Sequence, residues 1–284
     1  MRTTPTSLRA ALADAAATLS AAGVPSARHD AEVLAAHSLG VERRDLWRYD
    51  APGPDFAAYV DRRAGREPLQ HITGTAPFRH LELAVGPGVF VPRPETEVVV
   101  DAVLTRLTGT ERPRVVDLCT GSGAIALALA TEVPGSEVFA VEGDPAAHAW
   151  AVRNCTGSTV DLRLGDMADA FPELDGTVDV VVSNPPYIPV GAVIRDPEVA
   201  THDPALALWS GDDGLDAMRV VERVAARLLR QGGAVVVEHA DLQGASAPAV
   251  FTGAGRWADV RDHQDLAGRD RFLTAVLATH EEGA

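Results

Sequence analysis

The run Val180-Val181-Val182-Ser183 leads into Asn184-Pro185-Pro186-Tyr187. This tetrapeptide contains no histidine, lysine or carboxylate, so it carries no strong base or nucleophile. What it carries is hydrogen-bond acceptors. Two consecutive prolines have fixed φ angles and no N–H groups, so the carbonyls beside them are held in place and left free to accept. Asn184 adds a side-chain oxygen, and Tyr187 offers a flat face for stacking. Such a set suits a planar NH₂ group, as on an amide or an adenine, whose delocalised lone pair is a poor nucleophile. The Asn184 oxygen and the Pro185 carbonyl would bind both N–H bonds and turn the nitrogen toward an electrophilic carbon at roughly 3–3.5 Å. They would also stabilise the positive charge that grows on nitrogen during transfer. Pro186 and Tyr187 complete the candidate substrate site.

A second motif lies upstream, in Val115-Val116-Asp117-Leu118-Cys119-Thr120-Gly121-Ser122-Gly123-Ala124-Ile125-Ala126. An apolar strand enters a glycine-rich turn and leaves as an apolar helix; glycine lets the backbone turn tightly and approach a ligand. Glu142 ends the next strand, 19 residues after Gly123, where a carboxylate can accept from both hydroxyls of a ribose. Gly121-x-Gly123-x-x-Ala126 fits a dinucleotide fingerprint. It fits equally the S-adenosyl-L-methionine site of class I methyltransferases, with Cys119, Thr120, Gly121, Ser122 and Gly123 as the loop. Asp166 and Met167 follow the third strand, where methyltransferases set a carboxylate against the adenine amino group and an apolar side chain against the ring. Asn184–Tyr187 decides between the two readings, because a dehydrogenase would leave it without a role.

Positioning these loops requires strands that alternate with helices from about residue 97. Strands are predicted at Arg114–Asp117, Glu137–Val141, Asp161–Leu164, Val178–Ser183, Ala234–Glu238, Trp257–Arg261 and Phe272–Leu277, with helices at Ala124–Glu132, Pro145–Asn154 and Leu215–Leu229. The fold class is therefore α/β, a Rossmann-like, mainly parallel seven-stranded sheet with helices on both faces and an antiparallel pair at one edge. In front of it, Leu8, Leu12, Ala15 and Leu19 form one apolar stripe; Ala31, Leu34, Ala35 and Leu39 form another, stopped by Gly40. A third helix is predicted at Asp55–Ala64. The runs Phe78–Val85 and Val89–Val91 around Gly86-Pro87-Gly88 suggest a β-hairpin linker. The expected domains are thus 1–75, helical; 76–96, linker; and 97–284, catalytic.

Composition narrows the field. With 284 residues, 46% hydrophobic, the chain can bury a core and is not a disordered segment. No apolar run is long enough to span a membrane. The alanine-rich N-terminus carries Asp14 where a signal peptide would be apolar, so the chain reads as cytoplasmic. Cys119 and Cys155, the only cysteines, read as free thiols. The nine histidines fall at no metal-ligand spacing; His71, His80 and His239 read as packing or surface residues. Arg219, Arg223, Arg227 and Arg230 read as a solvated helical stripe. Of the net charge of −15, residues 101–284 carry −14, which argues against a nucleic acid substrate and leaves a basic protein partner open.

With these motifs in view, the chain resembles the HemK-type protein-glutamine N5-methyltransferases over nearly its whole length. Arg66-Glu67-Pro68-Leu69-Gln70-His71-Ile72-Thr73-Gly74, Phe90-Val91-Pro92-Arg93-Pro94-Glu95-Thr96-Glu97 and Asp265-Leu266-Ala267-Gly268-Arg269-Asp270-Arg271 join the two motifs in carrying the resemblance. It implies transfer of a methyl group from S-adenosyl-L-methionine to the glutamine of the Gly-Gly-Gln loop in bacterial peptide chain release factors. Cys119–Gly123, Glu142, Asp166, Met167 and Asn184 would line the cofactor site. Asn184, Pro185, Pro186 and Tyr187 would hold the glutamine, and the helical domain would help grip the release factor. A ribosomal-protein glutamine and, further off, an adenine N6 of DNA or RNA are the alternative acceptors. Three positions depart from the family pattern: Cys119 stands where the loop usually begins with Gly, Glu142 where Asp is common, and Asp203-Pro204 where Glu-Pro is usual.

Overall fold

A computed structural model describes residues 7–279. The outer ends of the expected first and third domains, and Thr3–Thr6 of the alanine-rich N-terminus, lie outside the described residues. The chain forms two compact units, one of residues up to Thr75 together with Ile194–His202, the other of Ala76–Val193 and Asp203 onward.

In the first unit, α1 (Leu8–Ala21), α2 (Ala27–Leu39), α3 (Phe56–Ala64) and the short α4 (Leu69–Thr73) surround one core. Ser7 caps α1 by accepting from the Ala10 N–H, and Gly40 ends α2 in the left-handed conformation. Leu8, Leu12, Leu19, Leu34, Val60 and Ile72 fill the interior. Arg63 is buried among them. Its Nε donates to Asp30 at 2.7 Å and its Nη1 to Glu198 at 2.8 Å, so its charge is matched inside the helical layer.

β1 (Thr75–Phe78), all but its first residue in the second unit, pairs with β2 (Leu81–Ala84). The hairpin therefore turns at Arg79-His80, not at Gly86-Pro87-Gly88 as the sequence suggested. Arg79 takes a left-handed φ of 52° and is pinned there by Glu132, Asp101 and Glu97. The Gly-Pro-Gly segment instead lies against Trp150: its indole N–H donates to the Pro87 carbonyl at 3.2 Å, and a Cβ on Gly86 would sit 2.5 Å from the ring. Val89 and Val91 are buried but belong to no strand.

Beyond this come α5 (Glu97–Leu107), β3 (Arg114–Leu118), α6 (Ala124–Glu132), β4 (Glu137–Glu142), α7 (Pro145–Cys155), β5 (Asp161–Leu164), β6 (Val178–Ser183), α8 (Pro197–His202, of the first unit), α9 (Asp216–Leu228), β7 (Leu229–Glu238), α10 (Ser246–Ala254), β8 (Trp257–Gln264) and β9 (Asp270–Leu277). The sheet has the order β5-β4-β3-β6-β7-β9-β8. Its first five strands are parallel, and β9 runs antiparallel to both β7 and β8. Val115, Val180, Val182 and Val236 face α5 and α6. Val116, Leu118, Val181, Val235 and Val237 face α9 and α10. Burial on both faces is why these strands read as unbroken apolar runs. Of the predicted helical stripe, Arg219, Arg223 and Arg227 lie on α9, but the helix ends at Leu228 and Arg230 belongs to β7; Arg219 pairs with Asp213, Arg227 with Asp175 and Arg230 with Asp179. Among the described residues no helix is long and apolar enough to cross a membrane.

Candidate active site

Leu118, the last residue of β3, lies opposite Ser183, the last residue of β6. The Ser183 hydroxyl donates to the Leu118 carbonyl at 2.6 Å. Cys119 and Asn184 therefore leave neighbouring parallel strands at the same level, and β4 and β5 end on the far side of β3. The loops after β3, β4, β5 and β6 share the carboxyl edge of the sheet, where open α/β folds bind ligands.

The glycine loop alternates through left-handed residues, with φ 61° at Cys119, 58° at Gly121 and 84° at Gly123. A Cβ on Gly121 would meet nothing within 4 Å, whereas one on Gly123 would press on the Cys155 sulfur at 3.0 Å. Gly121 thus borders open space, and Gly123 allows α6 to pack on α7. Cys119 adopts a conformation that costs a side-chain-bearing residue about 1–2 kcal/mol, which accounts for glycine at the matching position of the family pattern. Its Sγ lies 3.4 Å from the Met167 Sδ, and burial pushes its thiol pKa upward. Asp117 is fully buried beneath the loop. Its Oδ2 accepts from the Thr120 hydroxyl at 2.6 Å and the Ala126 N–H at 3.2 Å, while Oδ1 has no partner among the described residues. Burial lifts its pKa to about 7.

Glu142 ties the loop to the next strand. Its Oε2 accepts from the Gly121 N–H and its Oε1 from the Asp144 N–H, both at 2.8 Å. A carboxylate has about four acceptor positions, so two remain for a ligand. Asp166 is exposed, with Oδ1 accepting from the Ala168 N–H at 2.9 Å. Thr120 turns its hydroxyl inward to Asp117. Ser122 is buried, and its carbonyl accepts from Asn154 at 2.9 Å. These two offer a ligand backbone rather than side chains.

At the reaction end, the Asn184 Nδ2 donates to the Thr96 hydroxyl oxygen at 3.3 Å. No hydrogen bond among the described residues is accepted by the Asn184 Oδ1 or the Pro185 carbonyl. The Tyr187 carbonyl accepts from the Gln243 Nε2 at 3.0 Å, and Ile188 exchanges backbone hydrogen bonds with Leu208 and Ser210. A Cβ on Gly214 would come within 2.4 Å of that Tyr187 carbonyl, so the segment after the motif folds back tightly. Enclosure of the Tyr187 phenol raises its pKa. Arg93 reaches Asp203 at 3.2 Å and lies over the Phe90 ring.

Sequence reasoning assigned no role to Thr96 or Glu238. Thr96 lies in the Pro92–Glu97 segment that carries the family resemblance. Glu238 ends β7, the strand next to β6, and is 2% exposed. An acid closing an apolar strand at the carboxyl edge was the available signal. His239 is buried and hydrogen-bonded to Asp262 at 2.8 Å. Among the described residues no group of His, Cys, Asp and Glu could hold a metal ion.

Comparison with known proteins places the chain in a family. Residues 10–74 match the PrmC N-terminal domain and residues 80–196 the methyltransferase small domain. The chain is 59% identical to a release factor glutamine methyltransferase of Streptomyces coelicolor, over 95% of this chain and 98% of that one. It is 45% identical to a 4-amino-L-phenylalanine/4-methylamino-L-phenylalanine methyltransferase of Streptomyces pristinaespiralis, over 95% and 94%. A methyltransferase structure from Pyrococcus furiosus shares the fold at a TM-score of 0.50 and 18% identity, over 71% of this chain and 91% of that one. With near-complete coverage at 59% identity and both domain models matched in order, the chain belongs to the release factor glutamine methyltransferase family.

Proposed function

We propose that this chain transfers a methyl group from S-adenosyl-L-methionine to the side-chain amide nitrogen (N5) of the glutamine in the Gly-Gly-Gln motif of peptide chain release factors. The observation that carries this reading is the pair of free acceptors, Asn184 Oδ1 and the Pro185 carbonyl, one strand away from a glycine loop open in front of Gly121. The residues present fit the cofactor. Gly121 leaves room for close approach, Glu142 keeps two acceptor positions for ribose hydroxyls, and Met167 with Cys119 offers an apolar, polarisable surface for the ring. When bound, the cofactor supplies an electrophilic methyl on a sulfonium.

Asn184 and Pro185 would accept from both N–H bonds of the glutamine amide and so fix its plane. That alignment replaces a random encounter by a held geometry. As nitrogen becomes positive, the same two acceptors bind it more tightly than in the ground state, which lowers the barrier. Transfer leaves the amide nitrogen methylated and still carrying both protons; this cation is strongly acidic and loses one proton to water, so a base within the motif is not required. Pro186 and Tyr187 would pack on the glutamine side chain. The helical domain, residues 1–75, would grip the release factor, and residues 76–96 would link it to the catalytic domain, residues 97–284. The net charge of −14 on residues 101–284 suits a basic protein partner, and we place the reaction in the cytoplasm, where release factors work.

A second reading comes from the 45% identical relative named for an aminophenylalanine substrate, whose arylamine NH₂ is also planar. One experiment separates the two. Purified protein is incubated with labelled S-adenosyl-L-methionine and, in parallel, with a release factor, the same factor carrying alanine for the loop glutamine, ribosomal protein, or 4-amino-L-phenylalanine. Label on the loop glutamine, absent from the alanine variant, supports the proposal. Label on aminophenylalanine alone overturns it.

A further inference from the structure

We propose that Thr96 and Glu238 are positioning residues that determine which end of the Asn184 amide faces the methyl acceptor; this rests on the role given to Asn184 above. An asparagine amide is nearly symmetric in shape but opposite in polarity at its two ends. If Nδ2 rather than Oδ1 faced the substrate NH₂, a donor would meet a donor and only the Pro185 carbonyl would be left to accept. Thr96 touches the inner end of that amide, its hydroxyl oxygen receiving the Nδ2 proton at 3.3 Å. A hydroxyl alone would not impose this orientation, because it could equally donate to an inward-facing Oδ1.

Glu238 removes that freedom. Its side chain is buried at the end of β7, where Thr96, Arg271 and Tyr187 favour its charged form. In the proposed line the single Thr96 proton goes to the carboxylate, and the oxygen lone pair is left to receive Asn184. The line Glu238, Thr96, Asn184 thus has one direction, and it ends with Oδ1 outward. Three segments distant in sequence build it: the segment before α5, the exit of β6 and the end of β7. Among the described residues the buried Glu238 Oε2 has no hydrogen-bond partner, so these contacts do not fully satisfy the carboxylate. Indirect orientation of this kind is a recurrent use of residues behind a reacting set.

Protonation of Glu238 would reverse the line. A carboxylic acid can donate to Thr96, whose own proton then turns toward Asn184 and favours the wrong end of the amide. Burial raises the Glu238 pKa to about 7, against the opposing pull of Thr96, Arg271 and Tyr187 and with support from the Glu95 charge. His239, the next residue, is turned to Asp262 and Ala240. Turnover should therefore fall toward acid pH with an apparent midpoint near 7.

The test uses the full chain with Thr96→Val, Thr96→Ser and Glu238→Gln variants, a release factor and labelled S-adenosyl-L-methionine. Thr96→Val removes the hydroxyl at constant shape, and we expect kcat to fall about tenfold, the worth of one hydrogen bond. The KM for release factor and the Kd for cofactor should stay within about twofold. Thr96→Ser should recover most of the loss, and Glu238→Gln should flatten the acid limb of the kcat profile. Independently of activity, the ¹H–¹⁵N signals of the Asn184 side-chain amide should show one proton slow to exchange in the wild type and neither in Thr96→Val. Equal turnover in Thr96→Val and wild type, or equal losses in Thr96→Val and Thr96→Ser, overturns the proposal. If the wild type leaves the release factor unmethylated, the functional reading fails instead, and the amide exchange arm still decides the Thr96–Asn184 link.

Discussion

Replacing Asn184 by alanine should stop methyl transfer while leaving the cofactor bound. In the proposed reaction the side chain contributes one of two acceptors to the substrate amide, and among the described residues its only hydrogen bond is the 3.3 Å contact to Thr96. Loss of that contact costs stability about 1 kcal/mol or less, so the variant should fold. The cofactor loop is held by Asp117, Glu142 and backbone groups, none of which the substitution touches. Affinity for S-adenosyl-L-methionine should therefore change by less than about threefold, or about 0.7 kcal/mol. The transfer step is different. An acceptor aimed at developing charge in an enclosed site is worth about 10²–10³ in rate, roughly 3–4 kcal/mol. The remaining Pro185 carbonyl would still bind one N–H but would no longer fix the amide plane. Single-turnover transfer with enzyme in excess and cofactor saturating isolates this step, and calorimetric titration gives the cofactor affinity. Turnover within fivefold of wild type, or a rate loss fully matched by lost cofactor affinity, would refute the reasoning.

Other perturbations follow from the same structure. Folding raises the Glu238 pKa from 4.5 to about 7, so between those values the native protein holds a proton the unfolded chain has released, and rising pH erodes stability. The stability of Glu238→Gln relative to wild type should accordingly rise by about 2–3 kcal/mol between pH 5 and pH 8; parallel urea midpoints across this range would contradict it. Arg63→Ala should destabilise by about 3–5 kcal/mol, because it strands the buried Asp30 carboxylate, and a denaturation midpoint near that of wild type would show the pair to be dispensable. Gly86→Ala should cost about 1–3 kcal/mol by forcing a Cβ into the Trp150 ring, visible in the melting temperature and in indole fluorescence.

Much of this molecule is legible in one dimension. Strands buried on both faces read as runs such as Val180–Val182, the αL glycine at Gly40 marks a helix end, and the two motifs appear as short unbroken strings. These are local features, set by side-chain period, backbone sterics and turn chemistry, which each segment carries with it. The hairpin shows the limit. Gly86-Pro87-Gly88 has the composition of a turn, but its glycines serve the close approach of Trp150, and the turn falls at Arg79, where three carboxylates from α5 and α6 hold a left-handed arginine. The placement of β9 between β7 and β8 was likewise invisible, since pairing partners depend on the whole sheet. Sequence alone could name Asn184 as an acceptor by its neighbours. That it stands level with the glycine loop, and that its amide is oriented by Thr96 beneath a buried Glu238, depends on the β3–β6–β7 register. Contacts between residues far apart in the chain have no local signature, because the energy that selects them exists only once the core has formed.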